Sequence, residues 1–147
     1  MSTKIRQSKQ RNAIYDVLMR RNTHLTAQEI YEDTRKVIPD ISLGTVYRNL
    51  NFLVEHESIK RLDVGDNKIY YDPDLTSHHH FVCEKCGKVL DVRINENLQT
   101  ALENEVEVTL GHQIHSSQVV FHGVCSVCVN SNEEEEKNEF KRNSDSN

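Results

Sequence analysis

The four cysteines of the chain constrain it more than any other feature. They form two Cys-x-x-Cys pairs, Cys83-Glu-Lys-Cys86 and Cys125-Ser-Val-Cys128, in a sequence of 147 residues. Each pair can direct two thiolates at one ion, and four sulfurs close a tetrahedron around Zn²⁺ at about 2.3 Å. Gly87 follows Cys86 directly and suits the tight turn of a zinc knuckle. The bland alternative is a pair of disulfides or buried thiols, but disulfides are disfavoured inside cells, where paired spacing of this kind more often binds metal. A closed Cys₄ site leaves no open coordination position. One Zn²⁺ per subunit is therefore expected at Cys83, Cys86, Cys125 and Cys128, in a structural and not a catalytic role.

Composition narrows the class further. Hydrophobic residues make up 36% of the chain, enough for one domain or two small ones. No apolar run approaches the ~18–20 residues that a bilayer span needs, and the polar start does not read as a secretory signal. A cytoplasmic protein without a membrane partner is expected. The net charge of −5 hides an asymmetry. Residues 1–72 hold 12 Lys and Arg against 10 Asp and Glu, and residues 73–147 hold 6 against 13. The first 21 residues carry Lys4, Arg6, Lys9, Arg11, Arg20 and Arg21 against Asp16 alone. A basic end joined to an acidic half fits a polyanion-binding module, or equally a solvated helix face.

The first half reads as three helices and a hairpin. Residues 8–21 place Ala13, Ile14, Val17 and Leu18 on one stripe, with Ser8 as the cap. Thr26 and Glu29 match a capping box opening a second helix to about Val37, and Pro39 stops continuation. Ser42 caps a third, with Val46, Leu50, Leu53 and Val54 on its apolar side and Thr45, Arg48 and Asn49 opposite. Residues 59–72 then alternate around Gly65-Asp66-Asn67, a strand–turn–strand signal. Three helices and a hairpin describe a winged helix-turn-helix over 1–72, whose third helix would enter the major groove.

Residues 73–77, beginning at Pro73, read as a hinge. Residues 78–129 then alternate as strand (81–83), strand (88–93), helix (95–110) and strand (118–124). The fold class is therefore α+β: a winged helix-turn-helix followed by a small α/β domain, expected to serve dimerisation and to carry the Cys₄ zinc. So small a unit needs a metal or a partner subunit to fold. Residues 130–147, with Glu133–Glu136 and one aromatic, are expected to be a disordered acidic tail.

A second constellation is His78-His79-His80. In an extended segment His78 and His80 point one way and His79 the other. Asp72 lies upstream, Asp91 follows the first Cys pair, and His24 precedes the second helix. Imidazole nitrogens with carboxylate oxygens suit Fe²⁺, Mn²⁺ or Zn²⁺, unlike the thiolate set. His112, His115 and His122 are read as ordinary surface or core histidines.

These residues resemble the ferric uptake regulator (Fur) superfamily of bacterial metal-dependent repressors. The resemblance rests on Ser8-Lys-Gln-Arg11, on His24-Leu-Thr-Ala-Gln-Glu-Ile-Tyr31 and on Ser42-Leu-Gly-Thr-Val-Tyr-Arg-Asn-Leu50. It continues in His78-His-His-Phe-Val-Cys-Glu-Lys-Cys-Gly87 and the closing Gly123-Val-Cys-x-x-Cys128, some four fifths of the chain. Within the family it is most similar to the peroxide-responsive branch. The resemblance implies one regulatory Fe²⁺ or Mn²⁺ per subunit on His24, Asp72, His78, His80 and Asp91. Asp91 is the residue of that branch, where iron-uptake members tend to carry Glu. Ser77 and Ser117 stand where iron-uptake members often carry His for an extra metal site. Arg48 is the residue common in iron-uptake members, and the amino-terminal arm is short for the family.

The implied partners are a palindromic double-stranded DNA operator and a second copy of the chain. Tyr47 and Arg48 are expected to reach bases, Ser42 and Thr45 phosphates, and Arg6 and Arg11 the backbone or minor groove. The expected mechanism is loss of operator binding when iron and hydrogen peroxide oxidise His24 or His78. The nearest alternative is an iron- or zinc-responsive repressor of metal-uptake genes without peroxide sensing. An enzyme is not expected: no His-Glu-x-x-His, Walker loop, dinucleotide fingerprint or nucleophile elbow occurs. A third reading is a winged helix for protein interaction.

Overall fold

The computed structural model describes residues 2–144; of residues 2–8, 132, 133, 143 and 144 only the backbone is described. The chain divides into two compact units, Met1–Ser77 and His78–Asn147.

The first unit is a winged helix-turn-helix. It runs α1 (Ser2–Arg21), β1 (Leu25–Thr26), α2 (Ala27–Arg35), α3 (Leu43–Glu55), β2 (Lys60–Asp63) and β3 (Ile69–Asp72). Each helix gives one stripe to a common core: Ile14, Val17 and Leu18 from α1, Ile30 from α2, and Val46, Leu50 and Leu53 from α3. The capping box forms as the sequence predicts. Glu29 N–H donates to Thr26 Oγ1, and Glu29 Oε2 accepts from Thr26 N–H at 2.8 Å. Ser42 caps α3, its oxygen accepting from Thr45 N–H at 3.1 Å.

Two local expectations change. α1 starts at Ser2, so Ser8 lies inside it and does not cap it. Lys4, Ile5, Arg6 and Gln7 tolerate helix, and no Pro or Gly interrupts the extension. Asn49 is buried rather than on the polar side of α3, and its Nδ2 donates to the Thr45 carbonyl at 2.9 Å.

The wing is the hairpin β2–β3. Its turn is held by side chains, with Asp63 Oδ1 accepting from Gly65 N–H and Asp66 Oδ1 from Lys68 N–H. Gly65 and Asn67 both take positive φ, +83° and +64°, which suits glycine and asparagine. The short strand β1 completes the sheet in the order β1-β3-β2. The segment after β3 is a run of aspartate-capped turns: Asp72 Oδ1 accepts from Asp74 N–H and Asp74 Oδ1 from Thr76 N–H.

The second unit contains β4 (His79–Cys83), β5 (Val89–Val92), α4 (Glu96–Leu110), β6 (Val120–Gly123) and α5 (Ser126–Ser144). β4 is central, antiparallel to β5 and parallel to β6. Its core is thin. The buried apolar side chains among the described residues are Val82 and Val89, with Cys83, Cys125 and Cys128. Of residues 130–147, expected to be an unstructured tail, 130–144 are helical within α5, and 145–147 lie outside the described residues. The segment is rich in Glu and Lys, both good helix formers, and Glu134 and Lys137 stand at helical spacing. Helix and solvation are compatible here, since the described side chains from 134 to 142 are exposed.

Candidate functional site

The cysteines come together within the second unit. Each offers a sulfur, and the four sulfurs lie within 4.8 Å of one another. Cys86 Sγ and Cys125 Sγ are 3.9 Å apart. A tetrahedron with metal–sulfur bonds of about 2.3 Å has edges of about 3.8 Å, so this spacing fits zinc; a disulfide needs about 2.05 Å. Gly87, at φ +75°, turns the chain back so that its N–H meets the Cys83 carbonyl at 2.8 Å.

Cys83 Sγ accepts from the N–H groups of Cys86 and Cys125, at 3.4 and 3.3 Å. These bonds, the Cys86 N–H first, pull its thiol down to about 6. Cys128 is pushed up to about 12, first by its contact with the Cys125 sulfur and then by burial. Four sulfurs this close cannot all be anionic without a cation among them. The donor set thus fits a bound dication, whose uptake releases the remaining protons.

The histidine triplet alternates as expected. His78 and His80 share one face, with ring centroids 4.7 Å apart. The antiparallel register pairs His80 with Asp91. Asp91 Oδ1 lies 3.1 Å from His78 Nε2 and 3.8 Å from His80 Nε2. His79 faces the other way and is only 2% exposed. Its Nδ1 accepts from Val119 N–H at 2.9 Å, so Nε2 carries the proton and donates to Gln99 Oε1 at 3.1 Å. Gln99 Nε2 in turn reaches Glu103 and Ser117. The Ser117 hydroxyl also donates to Glu103, and these two contacts hold the Glu103 carboxyl below the usual range. Gln118 Nε2 lies 3.1 Å from His80 Nδ1, and Gln99, Glu103 and Gln118 carried no sequence signal, because nothing in their spacing marks them as neighbours of the triplet.

The first unit holds another imidazole–carboxylate pair. His24 Nε2 lies 3.1 Å from Asp72 Oδ2, and both side chains are buried. The cause is β1, which leaves no pattern in the sequence because it is two residues long. Its register sets Leu25 opposite Tyr71, which brings the next residues out, His24 and Asp72, face to face.

α3 presents an ordered polar edge. Ser42 Oγ and Thr45 Oγ1 are 2.9 Å apart, and Arg48 Nη2 donates to Thr45 Oγ1 at 2.9 Å. Tyr47 is 46% exposed, so it is not a core aromatic. Arg11 does not extend freely: its guanidinium lies 3.5 Å above the centroid of Phe52, which stacks on His56. Arg6 lies in α1, but its side chain is outside the described residues. His112, His115 and His122 are exposed. No helix among the described residues is long and apolar enough to cross a membrane.

The profile of the ferric uptake regulator family matches residues 2–122. The chain belongs to that family. Its members are metal-responsive transcriptional regulators and not enzymes. The peroxide-responsive repressor PerR of Staphylococcus aureus is 34% identical over 128 residues, covering 84% of this chain and 82% of that protein. The ferric uptake regulator Fur of Helicobacter pylori, described with three functional metal-binding sites, superposes with TM-score 0.72 at 29% identity, over 82% of this chain and 79% of that one. The peroxide stress regulator of Campylobacter jejuni superposes with TM-score 0.69 at 29% identity, over 86% and 94%. In this Fur-family chain the Cys₄ cluster is a fit for structural zinc, and the histidine–aspartate residues offer a donor set of different chemistry.

Proposed function

We propose that this Fur-family regulator is a homodimeric repressor, working in the bacterial cytoplasm, that holds its operator while loaded with Fe²⁺ or Mn²⁺ and releases it after hydrogen peroxide. The observation that carries the reading is the way the nitrogen and oxygen donors divide. His24 and Asp72 make a pair of two donors; His78, His80 and Asp91 make a set of three. Neither set alone meets the four to six donors that a first-row dication takes, whereas together they supply five. We assign all five to one regulatory ion per subunit, separate from the Cys₄ zinc.

The five ligands come from both sides of the segment 73–77. Holding them on one ion fixes the winged helix relative to the second unit. In a symmetric dimer that orientation sets the distance between the two copies of α3. Both must enter the major groove at palindromic half-sites on one face of the duplex. The coupling between ion and operator is the ion's preference for the docked arrangement, typically about 1–3 kcal/mol. On the DNA, Arg48 is assigned to guanine and Tyr47 to a thymine methyl, with Ser42 and Thr45 on phosphate. Arg6 is assigned to the backbone or minor groove, and so is Arg11, whose guanidinium must leave the Phe52 ring to reach it.

A dimer is supported by α4, which has no buried residue although Leu98, Leu102 and Val106 repeat every four residues. Leu98 is 66% exposed. An apolar stripe of this kind on a unit with so thin a core favours cover by a second copy.

Bound Fe²⁺ would promote cleavage of the peroxide O–O bond beside the ligands: one oxygen would add to a ring carbon of His24 or His78, that carbon would give up the two electrons, and its hydrogen would leave with the other oxygen as water, with no net change at the iron. An oxidised imidazole is a poorer ligand, so the donor count falls and the clasp opens. Asp91 and the S. aureus PerR similarity support this branch of the family. The test is operator binding by purified protein loaded with Fe²⁺ or with Mn²⁺, before and after low peroxide, with mass spectrometry. Loss in the Fe²⁺ form alone, with about +16 on the His24 or His78 peptide, is expected. Equal loss in both forms refutes the histidine mechanism. No response to peroxide, with binding still metal-dependent, leaves a metal-uptake repressor.

A further inference from the structure

His80 stands at the start of β4 with its two ring nitrogens facing different groups. Nε2 looks towards Asp91 Oδ1 at 3.8 Å, and Nδ1 meets the side-chain amide nitrogen of Gln118 at 3.1 Å. The segment carrying Gln118 is tied to β4 from several directions. His80 N–H donates to the Val119 carbonyl at 3.1 Å, and Val119 N–H donates to His79 Nδ1. The parallel register continues this with His80 opposite Val120. On the far side, His79 leans on Gln99, and Gln99 holds Ser117, the residue before Gln118. The backbone on both sides of Gln118 is therefore fixed relative to the His80 ring.

An imidazole binds a cation through a bare nitrogen, and its other nitrogen then carries the proton and donates it. A carboxamide has a donor end and an acceptor end of nearly equal shape, exchanged by a half-turn about its terminal bond. Gln118 is exposed, and that terminal torsion is soft. With the NH₂ end towards Nδ1, the ring proton sits on Nε2. With the oxygen end towards Nδ1, the proton sits on Nδ1 and Nε2 is bare.

We infer that Gln118 is a positioning residue for the regulatory ion: when the ion binds, its carboxamide turns its oxygen to Nδ1 and holds the proton of His80 there, committing Nε2 to the cation. This rests on the reading of His80 as a regulatory ligand. Gln118 itself touches no ion. It selects the tautomer and the ring plane, the task that outer hydrogen-bond partners perform at metal-bound histidines generally. The backbone of residues 117–120 supplies the rigidity, and the rotating amide supplies the adjustment.

The test uses the full-length, zinc-loaded protein and Mn²⁺ alone as the probe, by calorimetry and electron spin resonance. Gln118→Leu removes the acceptor, and Gln118→Glu keeps it. Gln118→Leu is expected to weaken Mn²⁺ binding about 10- to 100-fold, and Gln118→Glu to bind at least as tightly as the parent. Zinc content and the melting temperature without Mn²⁺ should match in all three, which separates positioning from folding. A second readout is the nitrogen spectrum of the imidazoles without Mn²⁺, with His80 assigned by His80→Gln. Gln118→Glu should move His80 towards the Nδ1–H tautomer. Equal loss of Mn²⁺ affinity in both variants, or less than about twofold loss in Gln118→Leu, overturns the proposal. The His78→Ala control separates the two layers. If it binds Mn²⁺ as well as the parent, the ligand assignment fails and this inference falls with it. If it binds weakly while Gln118→Leu is unaffected, only the role of Gln118 is refuted.

Discussion

Removing one sulfur of the Cys₄ cluster, proposed here to hold structural zinc, should unfold half of the molecule and spare the other half. The substitution is Cys86→Ser, which takes away a sulfur 3.9 Å from that of Cys125. In the second unit the buried aliphatic side chains among the described residues are Val82 and Val89. At about 1.5–3 kcal/mol each they contribute about 3–6 kcal/mol. A structural zinc site is worth about 10–16 kcal/mol to the folding of a small domain. The metal therefore outweighs the buried valines, and burial alone cannot order the backbone of β4 to β6 at about 1–2 kcal/mol per residue. The first unit stands on a separate core of twelve buried residues, from Ile14 to Tyr71. The assay is a two-dimensional amide spectrum of ¹⁵N-labelled protein. In Cys86→Ser, or in the parent treated with a strong zinc chelator, resonances of residues 78–129 should collapse towards random-coil positions, while those of residues 9–72 stay dispersed. Dispersed signals from both units in zinc-free protein would refute the reasoning, because some other interaction would then be holding the second unit.

Further expectations follow the same logic. Arg48→Ala should weaken operator binding by about 1–3 kcal/mol and relax base preference at one position per half-site, read from binding curves on a set of single-base operator variants. Leu50→Ala empties a fully buried site in the first unit, and a loss of about 2–5 kcal/mol is expected in denaturant melts. Thr26→Ala breaks the capping box of α2, at a cost of about 0.5–2 kcal/mol in the same measurement. Glu103 has its carboxyl depressed by the Ser117 hydroxyl and the Gln99 amide. Its contribution is thus present above the ordinary glutamate range and lost as pH falls through the lower folded value. Glu103→Gln should lower the neutral plateau and flatten that acid limb while leaving stability below the folded value unchanged, read from denaturant melts across the pH range.

Much of this protein is legible in the chain itself, for a physical reason that differs from element to element. The cysteine spacing specifies its site because two residues between thiols suffice to aim both at one ion, wherever the second pair comes from. The capping box at Thr26 and Glu29 and the cap at Ser42 are legible because their partners lie three residues away. The alternation of His78, His79 and His80 follows from the two-residue period of an extended strand. Local rules failed where two tendencies competed. The acidic segment after Asn130 is too polar to build a core, yet its glutamates and lysines are good helix formers, and helix won. Asn49 looks like a surface residue by type, but its amide satisfies a backbone carbonyl inside α3 and so can be buried.

Only the tertiary structure decided which distant residues became neighbours. His24 meets Asp72 because the two-residue strand β1 pairs with β3, a register too short to leave a hydrophobic period. His80 acquires Asp91 on one side through β5 and Gln118 on the other through the parallel pairing with β6. Glutamine has no signature that announces a histidine partner across 38 residues. The sequence by itself determined the donor chemistry, since thiolates, imidazoles and carboxylates are named by residue type. Pairing between strands decided their geometry, because register is set by the summed fit of whole strands and not by any residue read alone.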